Sequence, residues 1–144
     1  MQTPAMSTKE LSEALNAEFP HLFDGADGVY HIEEVHHGGA QVRRRYHKTA
    51  LRPGGTLSGA TMMELADVGM YVAVLASIGW VPLAVTTNLN INFLRKPAQR
   101  DLIADVRLIK LGKRLAVGDV SIRSDGADDL VAHATATYSI PKRE

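Results

Sequence analysis

The sequence predicts an α+β fold in which an antiparallel sheet curls around a single buried helix. The helix is predicted for 52–79, a stretch that opens with a glycine-rich turn and then runs through residues rich in Met, Leu, Ala and Glu, all good helix formers. Strand-like segments lie on both sides of it, one region before and four after. The later segments are joined by short connections, which make neighbouring strands antiparallel.

One stripe of the predicted helix carries its acidic side chains. On a helical wheel Glu64, Asp67 and Tyr71 share this stripe, and the other directions carry Met, Leu, Val or Ala. A helix that is apolar nearly all round is buried in a core or a membrane, and two carboxylates in its first half favour the core. Asp67 either pairs, caps or reaches solvent at the edge of that core, or it works in a site.

The ends of this helix are marked by residues with capping chemistry. A hydroxyl from Thr56 or Ser58 can accept hydrogen bonds from the first unpaired N–H groups. Thr61 and Glu64 fit the spacing of a capping box, which allows a start a few residues later. Gly79 predicts the end of the helix.

The remaining elements follow from alternation and turn signals. An amphipathic helix is predicted for 7–19, capped by Ser7 and stopped before Pro20. The predicted strands cover 29–47, broken at Gly38-Gly39, and then 84–95, 102–111, 114–123 and 130–140. Strand 84–95 is predicted to place Val85, Leu89, Ile91 and Phe93 on one face and Thr86, Asn88, Asn90 and Asn92 on the other. We expect one domain over 1–144, with 1–27 forming an N-terminal helix and loop.

Composition excludes several classes of function. The chain has 16 Lys plus Arg and 16 Asp plus Glu, so no net charge favours nucleic acid or an anionic membrane as a partner. No cysteine is present, which excludes disulfides, thiolate zinc sites and thiol nucleophiles. The start of the chain lacks a charged region followed by an apolar one, so we expect a cytoplasmic protein.

Two clusters of side chains could suggest a binding site, and we interpret both of them otherwise. The spacing of the histidines in 31–47 matches no metal-ligand pattern, so we predict no metal. Three consecutive arginines, Arg43, Arg44 and Arg45, cannot share one face of a strand. They are interpreted as a solvated edge, with a phosphate contact as the alternative.

Three linked motifs resemble the PaaI-like acyl-CoA thioesterases of the hot-dog fold. The segment GGTLSGATMMELAD resembles their G-x-x-H-G-G-x-x-x-x-L-x-D segment, VTTNLNINFLRKPAQRD resembles their second-strand signature, and LVAHATATY their closing strand. The resemblance covers about residues 40 to 140 in order. It implies a hot-dog sheet around one long helix, and an acyl-CoA thioesterase that needs no cofactor beyond the coenzyme A of its substrate.

The resemblance also implies roles for individual residues. Asp67 falls on the catalytic carboxylate, and Gly59 on the helix-start glycine whose N–H polarises the thioester carbonyl. Thr86 falls on a strand hydroxyl that orients the attacking water in some relatives. Ser58 stands where the family usually has His, and Arg52 where it usually has Asn. We expect hydrolysis to survive these two departures.

Helix geometry adds an inference of its own. Gly59 and Asp67 are eight residues apart, which is about 12 Å along a helix axis. A donor and a base must each lie about 3 Å from the reacting group. If both act, the site joins Gly59 of one copy to Asp67 of another, and we expect a dimer or a dimer of dimers with shared sites. The resemblance implies the same arrangement.

Further substrate contacts are predicted from charge. Four cationic residues lie at strand ends, where they either contact the phosphates of coenzyme A or are simply solvated: Arg95, Lys96, Lys113 and Arg114. Arg52 is predicted to contact an acidic or polar acyl group or a phosphate, with a solvated turn residue as the alternative. Glu64 is a candidate for substrate contact, with a capping interaction as the alternative.

Two other functions compete with hydrolysis. An acyl-CoA binding protein without activity is favoured by the residues at 52 and 58 and disfavoured by the retained Asp67. A hot-dog dehydratase or hydratase would need a histidine beside the carboxylate, and residues 48 to 132 contain none. Attack by the carboxylate and activation of water both remain open as mechanisms.

Overall fold

The computed structural model describes residues 2–23 and 28–142 and contains the predicted elements. They are α1 (Thr8–Glu18), β1 (Tyr30–His36), β2 (Gly39–Arg44), a 3₁₀ turn (Lys48–Ala50), α2 (Gly59–Ile78), β3 (Val85–Phe93), β4 (Leu102–Leu111), β5 (Leu115–Ser124) and β6 (Leu130–Ser139). The predicted region 29–47 is two strands that turn at Gly38, whose φ of 90° suits glycine. The loop predicted after α1 lies partly in residues 24–27, outside the described residues.

The six strands form one antiparallel sheet, as predicted. Its order is β1-β2-β4-β5-β6-β3, so β3 crosses over to lie beside the last strand. All of the pairings are antiparallel. The sheet packs against α2, and α1 packs against α2 and β1. This architecture confirms the α+β prediction and the arrangement that the resemblance implied.

The boundaries of α2 settle which cap is used. The Ser58 hydroxyl accepts from the Thr61 N–H at 3.1 Å, so the helix begins at Gly59 and the later start is wrong. Gly79 ends it with a φ of 99°, as predicted. By length and composition α2 could cross a bilayer, but most of its apolar stretch is buried inside the fold, which is how a core helix behaves.

Small side chains let the sheet approach α2 closely. The inward face of β6 carries Ala132, Ala134 and Ala136 and ends in Tyr138. A Cβ added at Gly118 of β5 would lie 2.7 Å from the Met70 sulfur, so glycine is needed for this contact. Tyr138 is therefore the one large side chain at the end of a row of small ones, where it reaches the helix.

Strand β3 departs from the predicted alternation. Thr86 pairs with Tyr138 while Asn88 pairs with Thr137, which leaves Thr87 as an extra residue in a bulge. Directly opposite residues in an antiparallel pair share a face, so Thr86 lies on the same face as Tyr138 and Leu89. The prediction that Thr86 shares a face with Asn88 is wrong, because one inserted residue reverses the alternation.

The arginine triplet is a second correction. Strand β2 lies between β1 and β4, so it is not an edge. Arg43 forms ion pairs with Glu33, with Asp101 at 3.0 Å and with Asp125 at 2.8 Å. These carboxylates raise the pKa of Arg43 above its ordinary value, with Asp125 the largest contributor. The solvated-edge interpretation is wrong for Arg43, which ties three segments of the fold together.

Candidate active site

Two separate cavities lie along α2, and each contains one of the two predicted catalytic groups. The Asp67 cavity has a volume of about 470 Å³ and the Gly59 cavity about 410 Å³. No residue lines both of them. With a rise of about 1.5 Å per residue, the two groups are about 12 Å apart along the helix. The structure thus divides the predicted site into two halves.

One oxygen of the Asp67 carboxylate is held by two hydroxyl groups. Tyr138 donates to Oδ1 at 2.8 Å and contacts the backbone oxygen of Asp67 at 3.0 Å. Thr86 donates to the same Oδ1 at 2.5 Å. Among the described residues no hydrogen bond reaches Oδ2. The arrangement fixes the carboxylate through one oxygen and leaves the other for a water or a substrate.

Tyr138 is a site residue that the sequence reasoning missed. Its side chain is 2% exposed, and burial raises the pKa of Tyr138 above its ordinary value, with a further contribution from Asp67. The phenol therefore stays protonated and acts as a donor to the carboxylate rather than as a base. A signal was present in the sequence, because this tyrosine ends the alternating alanine row of LVAHATATY.

The other half of the site is the first turn of α2. Ser58 occupies the N-cap, and its backbone oxygen accepts the first helical bond, from Met62 at 3.3 Å. The N–H groups of Gly59 and Ala60 consequently have no intrahelical acceptor. They lie at the positive end of a twenty-residue helix dipole. Such an end binds anions or a developing oxyanion.

Glycine at position 59 also permits a close aromatic contact. A Cβ added there would lie 3.0 Å from Cζ of Phe93, which lines the same cavity. The loop before the helix is closed by a bridge between Leu51 and Leu57 and by the Arg52 N–H, which donates to the Thr56 oxygen at 2.8 Å. The backbone at the cavity is therefore fixed from both sides.

Positive charge is concentrated at the Gly59 cavity. Arg52, Arg95 and Lys96 all line it. Arg95 also donates to the Leu130 oxygen at 2.9 Å, and its guanidinium lies 3.8 Å from Asp129. Two predicted substrate-binding residues, Arg52 and Arg95, are thus brought together beside Gly59.

Three other predicted substrate contacts lie elsewhere. Glu64 lines neither cavity and accepts a hydrogen bond from the Tyr30 hydroxyl. The capping alternative is wrong, because Ser58 is the N-cap and the helix begins at Gly59. Burial raises the pKa of Tyr30, and Glu64 adds to this shift. Lys113 and Arg114 lie at the turn between β4 and β5, outside both cavities.

The described part of the chain holds no cluster suited to a metal ion. No group of three or more His, Cys, Asp or Glu side chains lies close enough together within residues 2–23 and 28–142. No histidine lines either cavity. The polar groups available at the site are therefore a carboxylate, hydroxyls, backbone N–H groups and cations.

Comparison with known proteins identifies the family. A model of the thioesterase superfamily matches residues 54–137, more than half of the chain. A candidate esterase of Saccharolobus solfataricus is 30% identical over 137 residues, which is 95% of this chain and 87% of that protein. The match includes both halves of α2 and the strand that carries Thr86.

Solved structures agree with this assignment. A candidate thioesterase from Silicibacter sp. TM1040 is 43% identical, with a TM-score of 0.86 over 99% of this chain and 96% of its own. A mutant form of the phenylacetic acid degradation protein PaaI from Thermus thermophilus is 23% identical with a TM-score of 0.68, over 78% of this chain and 93% of its own, and shows the same fold. The chain belongs to the thioesterase superfamily: it has the hot-dog fold and is a thioester hydrolase.

Proposed function

We propose that this enzyme hydrolyses acyl-CoA thioesters at sites shared between two copies of the chain. The observation that carries the proposal is the division of the site into two cavities of complementary chemistry. One cavity holds a carboxylate with a free oxygen, and the other holds helix-end N–H donors and cations. Neither cavity alone contains both a base and an oxyanion donor.

The basic cavity supports coenzyme A as the thiol portion of the substrate. Coenzyme A carries phosphate groups, and arginine and lysine are the side chains that bind phosphate. Arg52, Arg95 and Lys96 line the cavity beside Gly59, so the helix end and the cations that attract an anionic thiol carrier lie in the same half of the site. Glutamate and aspartate are absent among the residues that line it.

A second copy is supported by two exposed surfaces. Strand β3 ends the sheet and pairs only with β6 among the described residues. Val85 and Phe93, at the two ends of β3, are 53% and 50% exposed. Met63, on the solvent-facing side of α2, is 44% exposed. A long unpaired edge with apolar side chains favours pairing with another chain. A two-fold contact through β3 and the solvent-facing side of α2 brings the Asp67 half of one copy toward the Gly59 half of its partner.

The reaction then uses groups from both copies. The Gly59 N–H donates to the thioester carbonyl oxygen and stabilises the negative charge that develops there. In one route Oδ2 of the partner's Asp67 removes a proton from water, which attacks the carbonyl carbon; the C–S bond breaks, and the coenzyme A thiolate leaves and takes up that proton. In the other route Oδ2 attacks the carbonyl carbon itself, the C–S bond breaks to release the thiolate, and water then hydrolyses the resulting anhydride to the free acid and restores the carboxylate. Thr86 and Tyr138 hold Oδ1 and keep Oδ2 directed at the reacting group.

The direct test measures thiol release from a panel of acyl-CoA substrates. Wild-type protein should hydrolyse at least one of them, and Asp67→Asn should lower kcat/KM by about 10²–10⁴-fold, the scale for loss of a general base. Melting temperature shows whether the variant is folded. A folded Asp67→Asn enzyme that keeps the wild-type rate would show that this carboxylate has a structural role only.

The two competing functions are less well supported. Membership of a hydrolase family argues against a binding protein without activity. A dehydratase or hydratase would need a histidine beside the carboxylate, and none lines the Asp67 cavity. Hydrolysis is the reaction that the groups in the two cavities can perform.

A further inference from the structure

We infer that the enzyme selects uncharged, apolar acyl groups, and that residues Phe19, Leu22 and Phe23 form the wall that selects them. The inference rests on the proposed acyl-CoA hydrolysis and specifies its substrate class. It concerns the Asp67 cavity, because the basic groups beside Gly59 leave this second cavity for the acyl portion.

Apolar and aromatic side chains form most of the Asp67 cavity. Four rings line it, those of Phe19, Phe23, Tyr71 and Tyr138. Aliphatic and proline side chains complete it, namely Leu22, Val68, Pro82, Ala84 and Val85. Its volume of about 470 Å³ lies within the usual range for small-molecule sites. Apolar surface of this kind favours an acyl group that can leave water.

The charge in this cavity disfavours an acidic acyl group. Asp67 is the single charged side chain among the described residues that line it. The second carboxylate of a dicarboxylic acyl group would enter beside Asp67, and no cation of the same chain lies among the described residues that line this cavity. A charge that leaves water without a partner is costly. The three cations of the Gly59 cavity line the opposite half of the proposed shared site, where the thiol portion of the substrate enters.

The wall that contains Phe19, Leu22 and Phe23 is a fixed part of the structure. The Leu22 and Phe23 N–H groups donate to the Phe19 oxygen at 2.9 and 3.2 Å, and the Tyr30 N–H donates to the Leu22 oxygen at 2.7 Å. The Phe23 ring packs on Tyr30 with centroids 5.8 Å apart. These three residues precede the stretch matched by the family model, which begins at residue 54. The wall therefore lies outside the part of the chain that the family model matches.

The test compares two acyl groups of equal length. Hexanoyl-CoA and adipoyl-CoA both carry six carbons in the acyl group, and they differ by a terminal carboxylate. We expect kcat/KM to favour hexanoyl-CoA by at least about 100-fold. Binding of the thioethers S-hexyl-CoA and S-(5-carboxypentyl)-CoA, measured by calorimetry on the wild-type protein, should show the same preference. The inference would be overturned if kcat/KM for the two substrates, and the affinities for the two thioethers, each differed by less than about threefold.

A positive charge introduced into the wall provides a second test of the inference. Phe19 is 43% exposed, so Phe19→Lys should fold and place a cation at the cavity. It should lower the ratio of kcat/KM for hexanoyl-CoA to kcat/KM for adipoyl-CoA by about 10-fold or more. The control is Ile109→Lys on β4, 60% exposed and outside both cavities, which should leave the ratio unchanged. Equal shifts in the two variants would show that the effect is general and that the wall does not select.

The two proposals fail in distinguishable ways. If no thioester is hydrolysed but S-hexyl-CoA binds in preference to its carboxylated analogue, the hydrolase proposal fails and the selectivity stands. If both acyl-CoA substrates are hydrolysed equally and both analogues bind equally, hydrolysis stands and the selectivity is refuted.

Discussion

The Gly59 and Asp67 positions of α2 differ in their chemistry. At Gly59 the proposed mechanism uses the unpaired N–H groups of the backbone, and the surrounding side chains are cationic. At Asp67 it uses a side chain, which Thr86 and Tyr138 hold inside an apolar cavity. The first end is suited to negative charge that develops or arrives, and the second to a carboxylate that reacts.

The difference is the reason that the proposed site needs two copies of the chain. A helix has its donors only at its N-terminus, because the later N–H groups are bonded within the helix. A base on the same helix must lie at least one turn further along, and here it lies eight residues on. Pairing two antiparallel copies of the helix brings unlike ends together. The following predictions test each end in turn.

After the loss of the Asp67 carboxylate, removal of one backbone donor should have the largest effect. Gly59 is the first residue of α2, a position that accepts proline, and Ser58 has the extended conformation (φ −74°, ψ 155°) that proline requires of its predecessor. Gly59→Pro should keep the helix and lose the N–H, lowering kcat by about 10²–10³-fold, the scale for one oxyanion donor. Steady-state kinetics with melting temperature measures both.

Gly59→Ala is the matched control for the proline variant. It keeps the N–H and adds the same Cβ, which meets Cζ of Phe93 at 3.0 Å. A loss shared equally by both variants would mean that the contact with Phe93, and not the donor, matters at this position. A much smaller loss in the alanine variant supports the donor.

Turnover should fall when the Tyr138 hydroxyl that donates to Asp67 is removed. Tyr138→Phe removes the donor at 2.8 Å from Oδ1 of Asp67 and keeps the ring. We expect kcat to fall by about 10-fold, with KM nearly unchanged, because orientation of the base is lost while binding remains. Tyr71→Phe is the control, since it removes a hydroxyl from the same cavity that donates to the Pro82 oxygen instead. Equal effects of the two would assign Tyr138 a packing role.

Charge at the Gly59 end should affect binding more than turnover. Arg52→Gln should raise KM several-fold, leave kcat close to wild type, and weaken the dependence of KM on salt. Lys9→Gln on α1, exposed and outside both cavities, should change neither. An unchanged KM in the Arg52 variant would show that this arginine does not contact the substrate.

Local patterns predicted the elements of the fold and the two ends of the site. The Ser7 cap, the turn at Gly38 and the stop at Gly79 were all readable because each depends on a few neighbouring residues. Asp67 was singled out as a carboxylate in an otherwise apolar helix, and the family resemblance implied the roles of Gly59 and Asp67. Their separation of eight residues along one helix followed from the sequence alone.

Features that depend on the partners of a residue in space were missed. The bulge at Thr87 is set by the pairing of β3 with β6, which reverses the face of Thr86. Tyr138 lies 71 residues from Asp67 in the chain, and Arg43 meets Asp125 across 82. Alternation and spacing carry no information on such distant contacts.

A complementation experiment tests the shared site most directly. Asp67→Asn and Gly59→Pro each remove one end, and a hybrid dimer of the two regains one complete site from Gly59 of the first chain and Asp67 of the second. After subunit exchange of an equal mixture, the account predicts activity at about one quarter of wild type, since half of the dimers are hybrids with one working site of two. Activity that stays at the level of the separate variants, with exchange demonstrated by mass spectrometry, would contradict it.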